Sequence, residues 1–222
     1  MEPMPHHELT ELQARRWNDP QTRRGALERL ERASAQARAN EGRVHSQVRR
    51  LEKAPRIQQK IFWLRQLAQT FSESVAPHAA CKDGCDGCCR QPVALTQQEA
   101  ELIARETGAA LHVPADWSSE GKAEYVAQPC SFLKDSRCTI YEHRPMVCRL
   151  MFNMDVDALL CQRVPGALSH VPYADYSQHK ELYIRAHLGK VKTGEEMRSS
   201  LGQLRLADVR EFFPHGLHKP LG

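Results

Sequence analysis

Eight cysteines in a chain of 222 residues constrain this protein more than any other feature. Four stand together as Cys81-x3-Cys85-x2-Cys88-Cys89, and the others follow as Cys130, Cys138, Cys148 and Cys161. Cysteines two or three residues apart can turn their sulfurs toward one ion. Zinc and iron–sulfur irons both take four tetrahedral ligands, and thiolate suits each. Buried structural cysteines usually occur singly and behave as small hydrophobes. Loops this short cannot hold so many thiols apart. The eight cysteines are therefore read as ligands of zinc or iron, with an iron–sulfur cluster as one form. They suffice for two four-thiolate sites, or for one cluster with thiols to spare. Adjacent side chains diverge, so Cys88 and Cys89 are not expected to serve one ion equally. Gly84 and Gly87 precede Cys85 and Cys88, where glycine permits φ > 0 and brings amide N–H groups near sulfur.

This reading needs a reducing compartment. No segment approaches the roughly 20 apolar residues of a membrane helix. Met1 to Glu11 contains no apolar core of a secretory signal. A cytoplasmic protein is expected, with no membrane partner. Apolar residues at 41% and charged residues at 26% suit a folded globule. The formal charge is +4. Residues 1–80 hold 14 Lys/Arg against 9 Asp/Glu, so the excess lies before the first cysteine. A solvated helix face explains it more simply than a nucleic-acid or acidic-partner surface.

A mainly α-helical fold is expected, in three parts. Residues 1–75 form a basic helical extension, 76–165 the cysteine-bearing domain, and 166–222 a helical tail packing on it. Residues 1–20 read as a polar leader, with the exposed pair His6 and His7. Leu27, Leu30, Ala33, Ala37, Val44, Val48 and Leu51 recur at helical spacing over 21–53, with a gap at Glu41-Gly42. Pro55 ends that helix. Ile57, Ile61, Leu64, Ala68 and Phe71 mark a second over 56–74, making a helical hairpin. Thr96 to Glu99 has the capping-box pattern and opens a helix to about Thr107, with Gly108 as its C-cap. Residues 109–124 read as loop. Residues 129–141 predict a short β-hairpin turning at 134–137. Pro145 suits the first turn of a short helix carrying Cys148. Further helices are expected over 174–189, from Thr193, and over Ala207 to Phe213.

The order of these pieces resembles one family. CxxxCxxCC is followed by a helix opened by Thr, then Pro129-Cys130-Ser131-Phe132-Leu133. Then comes Cys138-Thr139-Ile140-Tyr141-Glu142-His143-Arg144-Pro145-Met146-Val147-Cys148-Arg149. The pattern over about 78–165 is similar to the bacterial YkgJ-like cysteine-cluster proteins, described as zinc- or iron-chelating. Asp155-Val156 with Cys161 resembles a further element of that family, at a slightly longer gap. The resemblance implies metal binding but no reaction. A similar cluster occurs within the larger flagellin lysine methylases, yet no glycine-rich nucleotide or methyl-donor signature is present here. The C-x3-C-x2-C spacing also resembles radical S-adenosylmethionine enzymes. Those as a rule carry an aromatic residue where this chain has Gly87, and no βα repeats follow.

Arg144 and Arg149 flank Cys148 and are candidates either to offset thiolate charge or to form structural ion pairs. Phe132 and Tyr141 are expected to cover the site and exclude water. His143 and His78 are read as hydrogen-bonded surface groups rather than ligands. Two other roles stay open: a redox or modification-enzyme component built on an iron–sulfur cluster, and a structural-zinc module whose basic helices bind a protein or nucleic acid.

Overall fold

The structure, a computed structural model, describes residues 4–117, 123–167, 170–189 and 202–217. It is mainly α-helical, with two small antiparallel ribbons. The expected leader is largely helix α1, His6–Asn18. Its buried Leu9 and Gln13 lie one turn apart on the inward face, so tertiary burial rather than capping orders it.

Helix α2, Pro20–Ala39, starts where Asp19 Oδ1 accepts the Gln21 N–H at 2.9 Å, with Pro20 in the first turn. The single helix expected over 21–53 is two helices. The chain breaks at Asn40 and restarts as α3, Glu41–Lys53, where the apolar spacing also lapses. Helix α4, Ile57–Val75, is the hub. Ile61, Leu64, Leu67 and Ala68 are buried along it. Burying each of the larger three contributes about 1.5–3 kcal/mol. It packs against α2, α3, α5 (Gln97–Thr107) and α6 (Ser177–Leu188).

Thr96 caps α5 through Glu99 N–H at 3.4 Å, and Gly108 ends it at φ +73°. The expected capping box is only half made. Glu99 turns its carboxylate away to the Met146 N–H at 2.7 Å and the Tyr183 hydroxyl at 3.1 Å.

Strands β1, Ala94–Thr96, and β4, Leu206–Asp208, pair antiparallel, with Leu95 opposite Ala207. Neither was expected, since three residues carry no periodic signal and the partner lies at the far end of the chain. The last helix, α7, therefore spans only Val209–Phe212, because Ala207 and Asp208 belong to the strand. Asp208 and Glu211 make its capping box.

The expected hairpin is present but short. Strands β2, Leu133–Lys134, and β3, Arg137–Cys138, flank a turn with Asp135 and Ser136 at φ +50° and +56°. The helix expected after Pro145 is a single 3-10 turn, Val147–Arg149. The helix expected from Thr193 falls outside the described residues. No helix among the described residues is long and apolar enough to cross a membrane.

Candidate metal centre

Three loop systems bring the cysteines together. The first runs from Cys81 into a 3-10 turn, Gly87–Arg90, that carries Cys88 and Cys89. The second is the β2–β3 hairpin with Cys130 before it and Cys138 in β3. The third holds Cys148 and, after a loop, the 3-10 turn Leu159–Cys161. All eight are free thiols. Cys81, Cys85, Cys88, Cys89, Cys130, Cys138 and Cys148 line one cavity of about 610 Å³. Cys161 lies behind it against Gly87. A Cβ on that glycine would meet the Cys161 Cβ at 2.6 Å, so close approach, not a positive φ, requires glycine there. Gly84 does have φ +79°, in the turn between Cys81 and Cys85.

Backbone N–H groups reach several sulfurs: that of Asn153 reaches Cys81, that of Phe132 reaches Cys130 and that of Ile140 reaches Cys138. Such contacts favour thiolate, as around bound metals. Burial opposes them and wins. It pushes Cys130 up to about 11 and Cys161 up to about 12, and raises Cys81, Cys138 and Cys148. Cys88 is the exception, lowered to about 7 chiefly by a hydrogen bond from its neighbour Cys89. Cys89 is raised correspondingly. Unneutralised thiolates are costly here, so the pocket suits a cation that supplies the missing positive charge. Among the described residues, no three Cys, His, Asp or Glu side chains already stand around one point at metal-holding geometry. The donor set is soft and all sulfur, and it fits zinc or iron by its chemistry.

The two arginines beside Cys148 have different surroundings. Arg149 is buried and donates to the carbonyls of Arg144 and Glu142 and to Gln69 on α4, so it ties the loop to the helical body while its charge also favours thiolate at Cys138. Arg144 lines the cavity, and its charge favours thiolate at Cys88, Cys138 and Cys148. Only 7% exposed, it stacks 3.6 Å above the Tyr141 ring, and its Nε–H has no partner among the described residues. Phe132 is buried against Phe213 and walls the cavity, as expected. Tyr141 does not seal it. It is 59% exposed and carries Arg144 on its face. His143 pairs with Glu106 and His78 with Gln36, both outside the cavity lining.

Two positioning groups lie outside the cysteine motifs. Arg210 of α7 donates to the carbonyls of Cys89, Gln91, Gln128 and Pro129 while paired with Asp208 at 2.8 Å. It thereby ties the Cys88-Cys89 turn to the approach to Cys130. Asp208 also accepts the Val93 N–H at 2.7 Å. From α1, Gln13 donates to Leu159 and Gln162, bracketing Cys161, and Arg16 pairs with Asp155 and Asp157. The sequence hint for Arg210 was a group of three charges, Asp208, Arg210 and Glu211, among the apolar residues from Leu206 to Phe213.

Comparison with known families matches residues 80–179 to the CxxCxxCC family, described as "Putative zinc- or iron-chelating domain". No curated protein and no solved structure matches the chain significantly.

Proposed function

We propose, from the match of residues 80–179 to the CxxCxxCC family, that the protein binds zinc or iron through Cys81, Cys85, Cys88, Cys89, Cys130, Cys138, Cys148 and Cys161. The observation that carries this reading is their convergence: seven line one cavity, and the eighth is seated on Gly87. Bound metal would supply the positive charge that buried thiols need before they ionise. The chain's own groups do the rest. Amide N–H groups and Arg144 favour thiolate, Phe132 excludes water on one side, and Arg210 holds two ligand loops in register. The thiols share the cavity without yet closing on a common point, so metal binding should draw the loops in. A reducing cytoplasm would keep all eight thiols free.

The test is metal analysis with a visible spectrum, on protein purified without oxygen or added metal. Stoichiometric zinc in colourless protein, or iron with acid-labile sulfide in brown protein, supports the reading and identifies the metal. Cys85→Ser and Cys148→Ser should each lower metal content. Neither metal at meaningful occupancy, or unchanged content in both variants, sinks it.

A second reading keeps the metal structural and assigns partner binding to the basic helices. It is favoured by one surface: Phe62 is 50% exposed beside Trp63, whose ring lies 5.0 Å from the Arg50 guanidinium, with Lys53 on the same groove. Basic groups interleaved with aromatics suit single-stranded nucleic acid. Neutralising Arg49, Arg50 and Lys53 should then abolish salt-dependent binding, and no binding at low salt removes the idea.

A further inference from the structure

We propose that the eight cysteines divide into two four-thiol sites, Cys81–Cys85–Cys88–Cys161 and Cys89–Cys130–Cys138–Cys148, with the adjacent Cys88 and Cys89 assigned to different ions. The proposal rests on the thiolate reading above and specifies how many ions the centre takes and which residues hold each.

The backbone divides at the Cys88–Cys89 peptide. On one side, the Cys89 carbonyl accepts the Cys130 N–H at 2.7 Å, and the Cys130 carbonyl accepts the Leu133 N–H at 2.9 Å. Leu133 pairs with Cys138 across the hairpin. Cys130, Cys138 and Cys148 all pack on one apolar cluster, which includes Phe132, Ile140 and Phe213. Arg210 holds the Cys89 carbonyl on this side as well. On the other side, Gly87, just before Cys88, lies directly against Cys161. Cys81 packs on a separate apolar cluster with Phe152 and Met154, and its thiol approaches the Met151 carbonyl at 3.9 Å.

Cys85 stays on the Cys81 side, held by the turn at Gly84 (φ +79°), where its N–H donates to the Lys82 carbonyl at 3.0 Å. Cys88 stands at the boundary, next to Gly87 on one side and in hydrogen-bond contact with Cys89 on the other. Neighbouring residues on a tight turn project differently, so a CC pair can feed two sites where neither side chain alone could. The partition is read from neighbourhoods, since no three of these thiols yet surround a common point. Four thiolates per site is also the number that closes a tetrahedral thiolate shell.

The test loads the full chain with Cd²⁺ alone and counts ¹¹³Cd resonances and bound equivalents. Two resonances of equal intensity and two equivalents per chain are expected. Cys85→Ser and Cys161→Ser should extinguish the same resonance and halve bound Cd²⁺. Cys130→Ser and Cys138→Ser should extinguish the other. If a variant fails to fold, Co²⁺ titration of the unmodified chain still decides, with tetrathiolate absorption ending at two equivalents. One equivalent per chain, or loss of the same resonance from Cys85→Ser and Cys130→Ser, overturns the partition and leaves the chelating function standing. A chain that binds no Cd²⁺, Co²⁺, zinc or iron overturns the chelating function, and the partition with it.

Discussion

In the helical body, α3, α4 and α6 meet through Leu51, Leu64, Leu67, Tyr183 and Ile184. Each helix satisfies its own backbone, so packing can be almost wholly apolar. The cysteine loops are held instead by single turns and loop-to-loop bonds with no continuous ladder. Several of their carbonyls are met by polar side chains from elsewhere: Arg210 from the tail and Gln13 from α1. Glu99 does the same for the Met146 N–H. Irregular chain can be buried only when its polar groups find partners, and here those partners are buried long-range staples. The body should therefore tolerate metal loss, while the loops depend jointly on staples and metal.

The largest expected effect is on a staple. Arg210→Ala should cost about 4 kcal/mol, because it strands buried Asp208 and frees four carbonyls. It should also lower metal content. Denaturant unfolding with metal analysis checks both, and full metal retention would show that the loops hold their shape without it. Leu64→Ala should cost about 3 kcal/mol through a cavity in the body. Folded protein should keep its metal stoichiometry. A parallel fall in metal content would erase the distinction between the two regions. Gly87→Ala should cost about 2 kcal/mol, since the new methyl overlaps Cys161. Metal affinity should fall with it, and an unchanged titration would mean that Cys161 is not a ligand.

The smallest effect sharpens the comparison from the body's side. Burial lowers the pKa of His179, packed edge-on to Phe71, and of His187 on α6. Burial makes both rings harder to protonate in the fold than in the unfolded chain. Below about pH 6.5 the unfolded chain binds protons that the fold refuses, so stability is full above that pH and falls as pH drops. The slope is at most about 1.4 kcal/mol per pH unit for each ring. His179→Gln with His187→Gln should flatten it between pH 7 and 5.5 in metal-free protein. An unchanged slope would place the acid sensitivity elsewhere.

Legibility in the sequence followed the range of the interaction. The stripe of α4, the Thr96 cap, the Gly108 stop and the 134–137 turn were readable because residues within four positions decide them. Helix α1 was not, since its inward face has meaning only against the Leu159–Gln162 segment. The β1–β4 ribbon was not, since each strand is three residues long and its partner is remote. Arg144 and Arg149 could not be told apart in sequence; one faces the cavity and the other faces α4.

The sequence alone determined that this is a thiol-rich, mainly helical chain, because cysteine spacing and helical periodicity are local properties. The tertiary structure alone decided that Cys161 rests on Gly87, that Arg210 fastens the Cys89 and Cys130 loops, and that Glu99 leaves its own helix for Met146. Those contacts join residues far apart in the chain. They exist because buried carbonyls and amides must be satisfied wherever folding brings a partner within reach.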